Sequence, residues 1–254
     1  MTSPWDGRLG GQFISGGDIV SSPKHWITEE SEEKGHKLGS LLRVGGNWYA
    51  YCKSSEALAA GKLCAAVADS DAEDTVTVAH PIGTTAITVT AATTITANQY
   101  EDGVLIVDEG TGAGNTYDIA SNAAITSAAT GVVNIYGGLA VAFAIADTDI
   151  VLCTSPYVVQ LANTEQTETP ICVPRIAVSS GYYFWGQVSG LVGLLQDEAS
   201  GNNSAQRLLT IGSSVTGAVE AQDLAGEAVV GMRYFDAADD EDAKYQPAIL
   251  TLPH

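Results

Sequence analysis

Short runs that alternate apolar and polar residues recur about every ten residues along this chain, and no other sequence feature constrains its fold as strongly. Thr75–Ala79 and Thr85–Thr90, for example, alternate Val or Ile with Thr, which is the signature of a half-buried β-strand. Gly, Asn, Asp or Ser residues separate the runs, and no amphipathic run of about twelve residues or more predicts a helix. The sequence therefore predicts an all-β fold, built as a β-barrel or a β-sandwich.

Charge is distributed unevenly along the 254 residues, which include 30 acidic and 11 basic side chains for a net charge of -19. Residues 1–62 hold seven of each sign, whereas residues 63–174 hold thirteen acidic residues and no Lys or Arg. A surface that binds nucleic acid needs clustered cations, and an anionic membrane repels an acidic protein. We therefore expect no direct nucleic-acid partner and no membrane association.

Composition and turn residues suggest three parts. Residues 1–40 are predicted to form an extended N-terminal arm, because Gly pairs and a Ser-Ser-Pro break interrupt any regular element. Residues 41–80 and 156–254 are predicted to form the main β-domain. Residues 81–155, the core of the acidic stretch, are predicted to form a small inserted β-domain.

The predicted arm is richer in large apolar residues than a disordered tail would be. It either lies across a partner or packs on its own body, and the sequence does not choose between these. One short helix is predicted from Glu29 to His36, capped by Thr28. The candidate residues for contact with a partner are the five large apolar residues Trp5, Phe13, Ile14, Trp26 and Ile27.

The sequence contains none of the spacings that mark common catalytic or metal sites. It has no HExxH and no GxSxG, and its four histidines are scattered. The acidic runs at 69–74 and 236–242 lack the spacing of a calcium-binding EF-hand loop, so we interpret them as solvated loops, with a bound cation as the alternative. We expect no enzymatic activity, no cofactor and no metal. The four cysteines, which form no CxxC pair, are predicted to be buried thiols: Cys52, Cys64, Cys153 and Cys172.

Two further stretches carry specific predictions. The Gly-rich stretch Asp108–Asn115 is not a phosphate-binding loop, because no Gly-Lys-Ser/Thr follows it, and it predicts a hairpin turn. The aromatic run Tyr182–Trp185 predicts a strand with Tyr183 and Trp185 on one face. These two residues are candidates for the core or a subunit interface, and exposed aromatics that stack on sugars are the alternative.

Several stretches, taken in order, resemble capsid decoration (cement) proteins of tailed bacteriophages. They are the runs at residues 44–53, 57–63, 98–103, 108–112, 138–142 and 181–187, so the resemblance spans roughly residues 40–190. It rests on pattern and order rather than on a diagnostic motif. The family has no catalytic residues to carry over.

The resemblance implies a structural role on the outside of a phage head. Such proteins bind the major capsid protein, commonly as homotrimers, and bridge neighbouring capsid subunits. We therefore expect a virion protein on the outer capsid surface, made in the host cytoplasm, with residues 1–40 toward the shell and residues 63–174 toward solvent. The alternative is a phage head-fibre, tail or other adhesion module that binds glycans.

Overall fold

The computed structural model describes residues 12–14, 25–67, 70–197, 207–222, 227–234 and 244–252. These residues form strands, turns and bends and no helix, which confirms the all-β prediction. The chain divides into two units. The first unit comprises Met1–Val67 and Tyr157–His254, and the second comprises Ala68–Pro156.

The described part of the first unit contains eleven strands that join in one sheet. In chain order they are β1 (Gln12–Ile14), β2 (Leu41–Val44), β3 (Asn47–Ser54), β4 (Cys64–Ala66), β11 (Val158–Leu161), β12 (Pro170–Pro174), β13 (Tyr183–Leu195), β14 (Leu208–Ile211), β15 (Val219–Ala221), β16 (Gly231–Arg233) and β17 (Tyr245–Thr251).

Five of these strands close into a ring. β3, β11, β4, β12 and β13 are hydrogen-bonded in that order, and β13 also pairs with β3. Alternate residues of each strand point inward. Ala50 and Cys52 of β3 and Phe184 of β13 belong to the buried cluster inside this barrel. Of the two predicted architectures, a β-barrel or a β-sandwich, the first unit therefore contains a barrel.

A sheet extension continues from the second half of β13, where the strands run on in the order β17, β16, β14 and β15. Residues Ser189–Leu195 of β13 pair with Tyr245–Thr251 of β17 in regular antiparallel register. One face of the extension adds Leu209, Ala248 and Leu250 to the buried cluster of the barrel.

The described part of the second unit contains six strands: β5 (Ser70–Thr75), β6 (Ala86–Thr90), β7 (Val104–Glu109), β8 (Thr116–Asn122), β9 (Thr130–Ile135) and β10 (Asp149–Cys153). They form one antiparallel sheet in the order β5, β10, β7, β8, β9, β6. Their apolar alternate residues form a separate buried cluster.

The turn between β7 and β8 confirms the predicted hairpin. Gly110, Gly112 and Gly114 all have positive φ, between 76° and 94°, which L-residues rarely adopt. The Asp147 carboxylate accepts hydrogen bonds from the Thr111 amide (2.9 Å) and hydroxyl (2.6 Å). The Thr111 hydroxyl and amide lower the pKa of Asp147. These contacts hold the hairpin turn in place.

The structure corrects the prediction for the first acidic run. Residues 70–75 form β5 and not a solvated loop, and β5 pairs with β10 at the edge of the second sheet. Charged residues are frequent on edge strands because they discourage pairing with another chain. The second unit comprises Ala68–Pro156, and the sequence analysis placed the inserted domain at residues 81–155. The other acidic run, 236–242, lies outside the described residues.

The four cysteines are free thiols, and three of them are fully buried in the first unit. The Sγ atoms of Cys52 and Cys172 lie 3.7 Å apart inside the barrel. Burial raises the pKa of Cys52 well above its ordinary value. Cys153 is only partly buried. The prediction of buried reduced thiols is thus confirmed for Cys52, Cys64 and Cys172.

Candidate functional site: an aromatic cluster and the segment that covers it

An aromatic cluster lies on the outer face of the barrel, where β3 and β13 pair. Trp185 is the cross-strand partner of Tyr51, and Gln187 is the partner of Tyr49. Cross-strand partners share a face, and the residues between them, such as Phe184, point to the barrel interior. Tyr49, Tyr51 and Trp185 lie outside the ring of strands, yet each is at most 1% exposed.

The rings of this cluster pack closely. Tyr51 stacks on Tyr183, with centroids 5.9 Å apart and an interplanar angle of 6°. Tyr51 also makes an edge contact with Trp185 at 5.0 Å. His36 lies over both, 5.2 Å from Tyr51 and 5.4 Å from Trp185. Lys53 lies 5.5 Å from the Tyr183 ring, within the range of a cation–π contact.

Residues 25–40, which we call the covering segment, bury this cluster. Ser31 exchanges two backbone hydrogen bonds with Tyr183, of 3.0 and 2.8 Å. The Trp185 indole donates to the carbonyl oxygen of His25 at 2.8 Å, and the amide of Gly35 donates to the Tyr51 hydroxyl at 2.9 Å. The covering segment is therefore held to the barrel by specific polar contacts as well as by apolar packing.

Two carboxylates of the covering segment bind the turn that precedes β13. Glu30 accepts from the amide (2.5 Å) and the hydroxyl (3.1 Å) of Ser179. The Tyr182 hydroxyl donates to Glu32, and this hydrogen bond raises the pKa of Tyr182. The backbone N–H and C=O of Ser31 pair with Tyr183 and so are not available for a helix, and the predicted helix from Glu29 to His36 is not present.

Burial dominates the electrostatics of the cluster. It raises the pKa of Tyr51 to about 12, because the phenolate would lie among apolar rings. The ring of His25 stacks on Tyr51 at a centroid distance of 6.5 Å, and the buried Nε2 of His25 has no hydrogen-bond partner among the described residues. A Cβ at Gly35 would lie 2.6 Å from the His25 ring, so a side chain at this position would require that ring to move.

The predicted site residues fall into different places. Tyr183 and Trp185 share the outer face, as the alternation predicted, and both contact residues of their own chain. At 1% exposure, Trp185 has no open face on which a sugar could stack. Ile27 is 9% exposed and Trp26 is half-buried, and both pack on the aromatic cluster.

The rest of the predicted arm is described only at β1. The backbone of Phe13 pairs with Leu42 and that of Ile14 with Leu41, so β1 extends the sheet of its own unit. Trp5 lies outside the described residues. For the described residues of the predicted arm, then, packing on the chain's own body is the arrangement observed.

Sequence reasoning missed the partners of the covering segment. Glu30 and Glu32 bind residues about 150 positions away, and no local pattern signals such contacts. A signal for Tyr51 was present, since Tyr49 and Tyr51 alternate with Ala50 and Cys52 in the middle of β3, where neither face carries a charged residue. A strand that is apolar on both faces indicates cover on both sides.

Hydrogen bonds from the Trp185 indole, the Gly35 amide and the Ser31 backbone hold the covering segment against the barrel. In the part of the chain that the structure describes, no group of three or more His, Cys, Asp or Glu side chains is placed to hold a metal ion. Nor do the described residues contain a helix long and apolar enough to cross a membrane.

Comparisons of the chain with protein-family models, with curated proteins and with solved structures found no match.

Proposed function

We propose that the protein is a structural capsid decoration protein, which binds the outer surface of a phage head and bridges major capsid subunits. The observation that carries the proposal is the division of charge between the two units. All 11 basic residues belong to the first unit, whereas the second unit contains eleven acidic residues and no basic one. The second unit thus has a net charge of -11 and the first a net charge of -8.

This division of charge suits a protein whose first unit binds a capsid shell and whose second unit faces solvent. A unit without cations gains nothing from phosphates and is repelled by packaged DNA, so it belongs on the outside. The first unit can pair its cations with carboxylates of a capsid subunit. A protein that binds the assembled shell and not its separate subunits stabilises the shell by mass action.

In this proposal the contact with the major capsid protein is made by the first unit, which also carries the N-terminal residues. The protein acts as a homo-oligomer, a trimer by the resemblance, without direct contact with nucleic acid or membrane. The role is structural and requires no catalysis. Residues 1–24 precede the covering segment and, apart from β1, are the part of the predicted arm that remains a candidate for shell contact.

The test is binding to expanded capsids from which the protein has been removed. We expect the full chain to co-sediment with these capsids. A variant lacking residues 1–24 should fold, because it loses only the edge strand β1 and the covering segment stays in place, and it should bind more weakly. Failure of the full chain to bind would refute the proposal, and undiminished binding by the truncated chain would refute the role of residues 1–24.

A further inference from the structure

Three fully buried thiols meet inside the barrel. Cys52 belongs to β3, Cys64 to β4 and Cys172 to β12, and each is 0% exposed. The Cys52 thiol donates to the Cys172 sulfur, with the two Sγ atoms 3.7 Å apart. Cys172 is also the cross-strand partner of Cys64, whose thiol donates to the carbonyl oxygen of Lys62 at 3.8 Å. Of these two neighbours, Cys52 is the one whose thiol is directed at the Cys172 sulfur.

The contact between Cys52 and Cys172 depends on a gap in the strand that separates them. β3 and β12 are not neighbours in the ring, because β13 lies between them. At this point β13 has Gly186, which pairs with Pro174 of β12 on one side and with Ala50 of β3 on the other. A Cβ at residue 186 would collide with Cys172. Because glycine leaves this space empty, the thiol of Cys172 reaches the thiol of the far strand.

A disulfide bond at this place would cross the ring of strands. It would join β3, which precedes the second unit in the chain, to β12, which follows it, and would span 120 positions of sequence. A cross-link that closes so long a loop removes conformational freedom from the unfolded chain and thereby favours the folded one. The two Sγ atoms would have to close from 3.7 Å to the bonded distance of about 2.0 Å.

The folded barrel protects both thiols from oxidation. Thiol–disulfide exchange requires a thiolate, and burial raises the pKa of Cys52 well above its ordinary value. Cys52 and Cys172 are also fully buried, so an oxidant reaches them only when the barrel opens locally. The same opening gives the side chains the freedom to move to bonding distance.

We propose that Cys52 and Cys172 form a disulfide bond when the barrel opens in the presence of a disulfide oxidant, and that this bond locks the ring of strands. With oxidised glutathione, the thiolate of one cysteine attacks the glutathione disulfide, forms a mixed disulfide and releases one glutathione thiolate. The thiolate of the other cysteine attacks the protein sulfur of the mixed disulfide and releases the second glutathione. The two cysteines give up two electrons and two protons, and oxidised glutathione takes them up as two thiols.

This inference goes beyond the proposed function and does not depend on it. The glutathione pool of a cytosol keeps thiols reduced, so the bond belongs to more oxidising surroundings. We expect the chain to carry free thiols in a reducing compartment and to acquire a cross-linked barrel after exposure to an oxidant.

The test is oxidation of the full chain followed by peptide mapping. The reduced protein is incubated with oxidised glutathione at a urea concentration just below its unfolding transition, the remaining thiols are alkylated, and trypsin cuts the chain without reduction. Cys52 lies on the tryptic peptide 44–53, and the other three cysteines lie on peptide 63–175, which has no Lys or Arg before its last residue. We expect these two peptides to be linked, and the link to form about ten-fold more slowly, or slower still, without urea.

Two variants identify the partner of Cys52. Cys172→Ala should abolish the link, whereas Cys64→Ala is the matched control, because it removes an equally buried thiol and should retain the link. The opposite pattern would mean that Cys52 bonds to Cys64 and would overturn the inference. So would an unlinked peptide 44–53 in the oxidised wild type, a result that does not depend on the folding of any variant.

The effect on stability is measured on the wild type alone. The unfolding equilibrium constant of the oxidised chain in urea should be lower by about ten-fold or more than that of the same sample reduced with dithiothreitol. An oxidised chain that unfolds as readily as the reduced one would overturn the lock. Equal rates of oxidation with and without urea would overturn the protection by the folded barrel. None of these results bears on capsid binding, which tests the proposed function separately.

Discussion

At the scale of single residues, the barrel interior leaves no room beside Gly186. The Sγ atom of Cys172 lies 2.4 Å from where a Cβ of residue 186 would be, and its Cβ lies at 2.6 Å. β12 and β13 can approach here only because residue 186 has no side chain. The thiol of Cys172 fills the space that a side chain would take.

Gly186→Ala should therefore overpack the barrel. We expect a loss of about 1–3 kcal/mol in the free energy of unfolding, measured by urea denaturation. Gly46→Ala is the control, since its Cβ meets no atom within 4 Å, and it should change stability by less than about 0.5 kcal/mol. Equal stability of the two variants would show that the interior can move to accept a methyl group.

Tyr51 gives the protein a predictable response to alkali. Its pKa is raised to about 12 in the folded chain, whereas an unfolded tyrosine has a pKa of about 10. As the pH rises, the unfolded chain loses this proton first, so the unfolded state gains stability. The contribution of Tyr51 is complete below pH 10 and is lost between pH 10 and about 12.

Tyr51→Phe should remove that part of the pH dependence. It should also cost about 1 kcal/mol at neutral pH, because the Gly35 amide loses its acceptor. The measurement is the free energy of unfolding at a series of pH values, with Tyr136→Phe, an exposed tyrosine, as control. If the free energy of unfolding of Tyr51→Phe still fell above pH 10 as steeply as that of the wild type, Tyr51 would not be the source of this pH dependence.

At the scale of elements, the covering segment and the sheet it covers depend on each other. The aromatic rings of β3 and β13 would be exposed without residues 25–40, and these residues have no regular structure of their own to keep them in place. The carboxylates of Glu30 and Glu32 fix the segment to the turn at 179–182.

Glu30→Ala should loosen the covering segment, because the Ser179 amide and hydroxyl lose their acceptor. We expect a several-fold increase in the rate of limited proteolysis within residues 25–40 and a loss of about 1 kcal/mol in stability. Glu33→Ala removes an exposed carboxylate from the same segment and should leave both quantities unchanged. Equal proteolysis of the two variants would mean that aromatic packing alone holds the segment.

The elements also show which features a sequence can predict. The hairpin of β7 and β8 was predictable because its glycines and the alternation beside them are local. β5 was not, because carboxylates are rare in central strands and only its edge position admits them. Ring closure was not predictable either, since the residues of β13 pair with residues of β3 at least 130 positions earlier and no local signal records that register.

The same division applies to the candidate site. Alternation placed Tyr183 and Trp185 on one face, because a strand period is a local property. Alternation could not say whether the face with Tyr183 and Trp185 is covered by solvent, by a partner or by the chain itself. Residues 25–40 cover it, and their contacts are long-range. The sequence therefore predicted the aromatic residues but not their cover.

At the scale of the whole molecule, the second unit leaves and rejoins the first at one place. The amide of Val67 donates to the carbonyl of Val158 at 3.0 Å, and β4 and β11 pair in antiparallel register with Val159 opposite Ala66. The two chain ends that flank the second unit are thus neighbours in a hairpin-like arrangement, which is typical of a tolerated insertion.

Replacing residues 68–156 by a two-residue Asn-Gly turn should leave the first unit folded. The readout is the near-ultraviolet circular dichroism of the buried Trp185, together with a cooperative unfolding transition. If the proposed orientation is right, the shortened chain should still bind expanded capsids, since the deleted unit faces solvent. A folded variant that no longer binds them would reverse the orientation.

The ring of strands has a further consequence for the order in which the chain folds during synthesis. The second unit is continuous in sequence, so it can be complete as soon as Pro156 has left the ribosome. β3 has been made much earlier, yet its partner β13 arrives only with Tyr183–Leu195. β11 pairs only with the end of β3, at Lys53 and Ser54. Until β13 is made, most of this edge of β3 therefore has no partner and exposes the nascent chain to aggregation.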